Sequence, residues 1–75
     1  MNFNETRQEL GAGIREWRIR RRMTQDVLAD AADLNVNSLG RVERGETNPE
    51  LLTLWKIATK LRVSVAQLFL GPARE

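Results

Sequence analysis

Apolar residues recur at intervals of three or four positions in five short runs, and this spacing constrains the fold more strongly than any other feature of the sequence. Such spacing places apolar side chains on one face of an α-helix, and no run alternates apolar and polar residues long enough to predict a β-strand. The clearest runs are Leu10, Ile14 and Trp17 near the N-terminus and Leu51, Leu54, Ile57, Ala58 and Leu61 in the second half. The sequence therefore predicts an all-α fold of five helices.

The first helix leaves two questions open. It can begin at Asn4 or at Thr6, where Thr-Arg-Gln-Glu has the pattern of a capping box. Gly11 and Gly13 weaken the helix locally, and they either allow a neighbouring helix to approach closely or are only tolerated.

Capping and turn residues delimit the other four helices. Thr24 is predicted to cap helix 2, and helix 3 is predicted to run from about Val36 to Arg44 and to end at Gly45. Asn48 is the predicted N-cap of helix 4, with Pro49 as its first residue. Ser64 and Gln67 are predicted to form a capping box at the start of helix 5.

The chain contains no histidine and no cysteine, which excludes disulfides and the common zinc sites. Because no tight carboxylate cluster is expected either, the usual general acids, bases and nucleophiles are missing. We therefore expect no enzyme activity, no cofactor, no metal and no small-molecule ligand. With no apolar run long enough to cross a membrane and no apolar signal sequence, we expect one cytoplasmic domain over residues 1–75.

The outer face of helix 3 carries polar groups suited to reading DNA bases. Leu39 and Val42 mark the inward direction, so a helical wheel places Asn37, Gly40, Arg41 and Arg44 on the opposite side. In a major groove, Arg41 could pair with guanine, Asn37 with adenine, and the neighbouring Val36 could touch a thymine methyl. Gly40 would then either let the helix sit closer to DNA or merely remove one contact. Taken alone, such a face is more often an ordinary polar helix surface.

Helices 2 and 3, with the short turn between them, have the helix-turn-helix pattern. The segment from Met23 to Gly45 resembles the phage repressor and Cro family, of the xenobiotic-response-element type. The residues that carry the resemblance are Thr24, Gln25, Leu28, Ala29, Ser38, Leu39, Glu43 and Gly45. Flanking matches extend it over roughly residues 10–70, which implies a compact lambda-repressor-like domain with its helix-turn-helix at about residues 24–45. The sequence departs from the family at Asp33 and Arg62, where glycine is frequent, and both are expected to fit with some strain.

The resemblance implies a role for each matching position. Asn35, Val36, Asn37, Ser38 and Arg41 match the base-reading positions, and Thr24, Gln25, Arg44 and Asn48 match positions that contact the DNA backbone. Thr24 and Asn48 are also predicted helix caps, so each could serve structure alone. Arg18 and Glu43 match a buried ion pair that joins helix 1 to helix 3.

Helix 5 is expected to supply the surface on which two copies meet. It is too short to bury Val65, Leu68, Phe69 and Leu70 together against its own domain. The alternative is that Leu68 and Phe69 close the core of the single domain. Trp55 is expected either in the core or on the dimer surface.

These features together predict a homodimeric regulator that binds double-stranded DNA at a palindromic operator, with helix 3 in the major groove. Because the chain ends at Glu75, the resemblance favours a small stand-alone regulator similar to the controller proteins of restriction-modification systems. The alternative is an antitoxin or partner module that uses the same fold to bind protein. The polar groups of Asn37, Arg41 and Arg44 favour DNA.

Overall fold

The computed structural model describes residues 2–72 and contains five α-helices in that range. They are α1 (Phe3–Arg20), α2 (Gln25–Ala31), α3 (Val36–Glu43), α4 (Leu51–Leu61) and α5 (Val65–Leu70). The described residues form no strand, which confirms the predicted all-α fold. Within the same range, no helix has the length and hydropathy needed to cross a membrane.

All five helices contribute to one hydrophobic core. Its largest fully buried side chains are Trp17, Ile14, Leu28, Leu39, Ile57, Leu61 and Leu68. The indole Nε1 of Trp17 donates to the carbonyl of Gln67 at 2.8 Å, so the polar end of this buried side chain is also satisfied. Leu51 was predicted to face inward but is exposed, because the buried face of α4 begins only at Leu54.

Gly11 and Gly13 are required for the close approach of α1 to two other helices. A Cβ atom on Gly11 would lie 2.4 Å from the carbonyl oxygen of Glu43, and one on Gly13 would lie 1.7 Å from that of Leu68. Both obstacles are backbone atoms and cannot rotate away. The question that the sequence left open is therefore answered: these glycines let α1 pack directly against the ends of α3 and α5.

Two helices begin at residues other than those predicted. The first is capped by Asn2, whose side chain accepts a hydrogen bond from the Glu5 amide at 2.9 Å, so Asn4 and Thr6 already lie inside α1. Glu50 occupies the N-cap of α4 without a side-chain hydrogen bond, and Asn48 lies outside that helix. Residues 47–50 precede α4 and are not helical. Together with residues of α3 they line a cleft of about 330 Å³.

Three helices end in a non-glycine residue with left-handed backbone geometry. Arg22, Asp33 and Arg62 have φ angles of 59°, 57° and 63°, whereas α3 ends before a glycine, Gly45, at 71°. In each case the following amide bonds back to the last turn, as between Val63 and Ala58 at 3.0 Å. A side chain in this conformation costs roughly 1 kcal/mol relative to glycine, which is the strain expected at Asp33 and Arg62.

Candidate DNA interface

Side-chain caps fix the starts of α2 and α3. Thr24 accepts a hydrogen bond from the Val27 amide at 3.1 Å, and Asn35 accepts one from the Asn37 amide at 2.8 Å. Both caps are exposed, so each helix presents its first turn to solvent. The side-chain oxygen of Asn35 is engaged in this cap.

Four of the five residues matched to base reading are exposed on or beside α3: Asn35, Asn37, Ser38 and Arg41. Val36 is half-buried and packs against the core, so only part of its side chain faces outward. Asn35, Ser38 and Arg41 also line the 330 Å³ cleft. Asn48, a residue matched to backbone contact, lines the same cleft, so the structure brings members of both sets to one surface.

Gly40 is buried, contrary to its predicted place on the open outer face of helix 3. A Cβ atom there would lie 3.1 Å from Nη1 of Arg44 and 3.9 Å from Nε2 of Gln25. The helical wheel was centred on Leu39 and Val42 and ignored Glu43, whose burial turns the inward direction toward Gly40. Two long side chains therefore cover this glycine.

Arg18, Glu43 and Gln25 form a buried polar network that ties three helices together. The guanidinium of Arg18 donates to both carboxylate oxygens of Glu43, from Nε at 2.7 Å and from Nη2 at 3.1 Å. Gln25 donates from Nε2 to Glu43 at 3.0 Å, and Arg18 also donates to the carbonyl of Met23 at 2.9 Å. The side chains of Arg18 and Glu43 are 11% and 2% exposed. The network fixes the start of α2 and the end of α3 relative to α1.

The side chain of Gln25 therefore has a structural partner that sequence reasoning missed. The resemblance placed Gln25 only at the DNA backbone, and its partner Glu43 lies 18 positions away in the sequence. A local pattern cannot reveal a contact over that separation. The half-buried amide side chain of Gln25 is engaged by Glu43 and is not free at the surface.

Arg44 forms a second ion pair, with Glu46, at the surface. Its Nε lies 2.9 Å from one carboxylate oxygen of Glu46, and its Nη2 lies 3.2 Å from the other. The hydrogen bond with Arg44 lowers the pKa of the Glu46 carboxyl, and the same contact raises the pKa of Arg44. The two side chains are 57% and 52% exposed. Glu46 carries no role in the resemblance, so this pairing was not expected.

The surface predicted for dimerisation is only partly available. Leu68 was assigned to it but is fully buried, because its side chain packs into the hydrophobic core. Val65 is half-buried against the core, whereas Phe69 and Leu70 remain exposed. Trp55 is 57% exposed and is therefore not a core residue.

The described residues contain no group of three or more acidic side chains that could hold a metal ion.

A model of a helix-turn-helix family (HTH_3) matches residues 14–68, which include all of α2, α3 and α4. The chain belongs to this helix-turn-helix family.

The relatives found are regulators rather than enzymes. The transcriptional regulator SutR of Escherichia coli strain K12 is 36% identical over 63 residues, which cover 84% of this chain but only 35% of SutR. The chain thus spans about a third of the length of that relative. The family is one of transcriptional regulators and not of enzymes.

Solved structures of the family superpose closely. The restriction-modification controller protein C.AhdI of Aeromonas hydrophila has a TM-score of 0.81 at 33% identity, over 84% of this chain and 96% of that chain. An HTH_3 family transcriptional regulator of Vibrio cholerae has a TM-score of 0.86 at 27% identity, over 97% of this chain and 41% of that chain. The lambda-repressor-like architecture is therefore confirmed.

Proposed function

We propose that the chain is a sequence-specific DNA-binding transcriptional regulator that places α3 in the major groove. One observation carries this proposal: Glu43, the single carboxylate of α3, is buried against Arg18. The outward side of the helix is left with donor groups and a hydroxyl from Asn37, Ser38 and Arg41. These groups match the acceptors and donors that base edges present in the major groove.

Contacts with phosphates would fix α3 in the groove from both sides. The exposed start of α2 at Thr24 offers backbone amides with the helix dipole behind them, which favours an anion. On the other side, Arg44 and Asn48 are exposed next to α3. Such contacts give affinity and register, whereas Arg41 and its neighbours provide sequence preference.

We further propose that two copies bind a palindromic operator. One copy presents few base-reading side chains, so a dimer that reads two half-sites about 34 Å apart would gain both affinity and specificity. The exposed apolar side chains Phe69 and Leu70 of α5 support a dimer surface there, with Trp55 of α4 as a further candidate. Leu68 is excluded from this surface by its burial.

Selection of bound duplexes from a random DNA pool tests the proposal. We expect enrichment of a two-fold symmetric sequence whose half-sites are separated by about one helical turn, and sedimentation of the protein as a dimer. Enrichment of no sequence would contradict the DNA-reading role and favour the protein-binding alternative. A monomer at high micromolar concentration would contradict the dimer.

A further inference from the structure

The ion pair between Arg44 and Glu46 lies where the proposed function requires a free cation. Arg44 is matched to DNA-backbone contact, yet both its Nε and its Nη2 donate to the Glu46 carboxylate, at 2.9 and 3.2 Å. A phosphate commonly binds a side-by-side pair among the five N–H donors of arginine. Glu46 occupies the pair on the Nε and Nη2 edge, and Nη1 lies over Gly40. Carboxylate and phosphate therefore compete for the Nε and Nη2 edge of the guanidinium.

Gly40 contributes to this arrangement. Nη1 of Arg44 would lie only 3.1 Å from a Cβ atom at position 40, so the guanidinium rests over the glycine on the side of α3. The Arg44 side chain thus has two supports, a carboxylate from the residue two positions on and a helix surface without a side chain beneath it. Both hold it close to α3 in the unbound protein.

Resting on the function proposed above, we propose that Glu46 competes with DNA phosphate for the guanidinium of Arg44 and so weakens the binding of every duplex, whatever its sequence. Before the Nε and Nη2 edge of Arg44 can bind a phosphate, its bonds to Glu46 must be exchanged, and the released carboxylate then lies close to the negatively charged backbone. The cost is paid equally on operator and non-operator DNA, because phosphates carry no sequence information. Glu46 thereby sets the overall strength of binding, while α3 sets the preference between sequences.

The test is a double-mutant cycle of Glu46→Gln and Arg44→Ala in the full chain. Affinity is measured at about 0.1 M salt for the selected operator and for an unrelated duplex of equal length, a concentration at which exposed charges still interact over about 10 Å. We expect Glu46→Gln to tighten binding of both duplexes by about two- to fivefold, the range that corresponds to an exposed ion pair. In the Arg44→Ala background the same substitution should tighten binding clearly less than it does with Arg44 present, because the pair no longer exists and only the repulsion between the carboxylate and the phosphates is relieved.

Glu50→Gln is the matched control. Glu50 is an exposed carboxylate at the edge of the cleft that contains Arg41 and Asn48, and it forms no side-chain cap for α4. Its removal changes the net charge by the same amount but breaks no bond to Arg44. Any gain from Glu50→Gln should therefore be the same with Arg44 and with alanine at that position.

Salt dependence gives a second readout. Arg44→Ala should reduce the slope of log affinity against log salt by about one, and Glu46→Gln should steepen it, because the freed guanidinium neutralises a phosphate more completely. Thermal melts should show all single variants folded, since both side chains are exposed.

The outcomes separate this inference from the proposed function. If the wild-type chain binds no duplex, the proposed function fails, and the inference with it. If the chain binds DNA but Glu46→Gln leaves the affinity unchanged, or tightens it equally in both Arg44 backgrounds, the competition is refuted while DNA binding stands. A loss of affinity in Glu46→Gln would show that Glu46 positions Arg44 for DNA, which also refutes the competition.

Discussion

Replacing Arg18 with alanine tests the polar network that holds the helix-turn-helix to α1. The substitution removes two hydrogen bonds to Glu43 and one to the Met23 carbonyl. Glu43, whose side chain is 2% exposed, then keeps one donor, Nε2 of Gln25. A buried carboxylate is left without its counter-charge.

The expected loss of stability is large for a chain of this size. Removing one partner of a buried ion pair costs about 3 to 5 kcal/mol, against a total stability of about 5 to 15 kcal/mol for a typical domain. A small domain loses about 4 to 8 °C of melting temperature per kcal/mol, so Arg18→Ala should melt at least about 12 °C lower. The effect on stability should appear before any effect on sequence preference.

Urea unfolding followed by tryptophan fluorescence measures the effect, because the indole of Trp17 is buried in the folded protein and meets water on unfolding, whereas Trp55 is already 57% exposed. Arg15→Ala is the matched control, since Arg15 is exposed on the same helix, and it should change the unfolding free energy by less than about 0.5 kcal/mol. Adding Glu43→Leu to Arg18→Ala removes the stranded carboxylate and should restore part of the loss.

If Arg18→Ala had the same melting temperature as Arg15→Ala, the structural role of the Arg18–Glu43 pair would be refuted. An unchanged melting temperature combined with an altered operator preference would be still more decisive, because it would place Arg18 in DNA recognition rather than in the buried network.

Four further predictions concern backbone geometry and assembly. Gly13→Ala should prevent α1 from packing on α5 and leave the chain unfolded by circular dichroism, because its Cβ would lie 1.7 Å from the Leu68 carbonyl oxygen; a folded variant would contradict the close approach. Gly40→Ala should instead stabilise the protein by up to about 1 kcal/mol in thermal melts, since only the flexible end of Arg44 must move, and a melting temperature below that of the wild-type chain would contradict this explanation. Arg62→Gly should raise the stability by about 1 kcal/mol by relieving a left-handed backbone at a φ of 63°, and a lower melting temperature would overturn that explanation. Leu70→Glu should convert a dimer to a monomer in sedimentation without lowering the melting temperature, because Leu70 is exposed in the single domain; a variant that remains dimeric would exclude this part of α5.

The sequence was sufficient to predict helix caps whose side chains bond to the first turn of their own helix. Thr24 and the capping box of Ser64 and Gln67 form the hydrogen bonds predicted from their spacing, because each bond joins groups three positions apart. The predicted start of α1 at Asn4 or Thr6 was wrong because Asn2 is also a strong cap and lies earlier in the chain. The prediction of Asn48 as the N-cap of α4 was wrong because a residue that favours capping does not by itself decide where a loop becomes helical.

Tertiary packing decided the features that the sequence could not. Leu68 and Phe69 are adjacent apolar residues, and only the packing of α5 on the rest of the domain decides that Leu68 is buried while Phe69 is exposed. The burial of Gly40 likewise depends on Gln25 and Arg44, whose side chains extend across α3. A helical wheel treats a helix as isolated, so it cannot show what covers it.

The central claim is that α3 reads bases through Arg41, and a base-preference profile of Arg41→Ala tests it most directly. Affinities are measured for the selected operator and for every single-base-pair variant of one half-site, with Arg44→Ala as the comparison. Arg41→Ala should lose about 1 to 3 kcal/mol on the operator and lose discrimination at one base pair, while Arg44→Ala weakens all duplexes alike. If both variants weaken all sequences uniformly, Arg41 contacts only the backbone and the claim is contradicted.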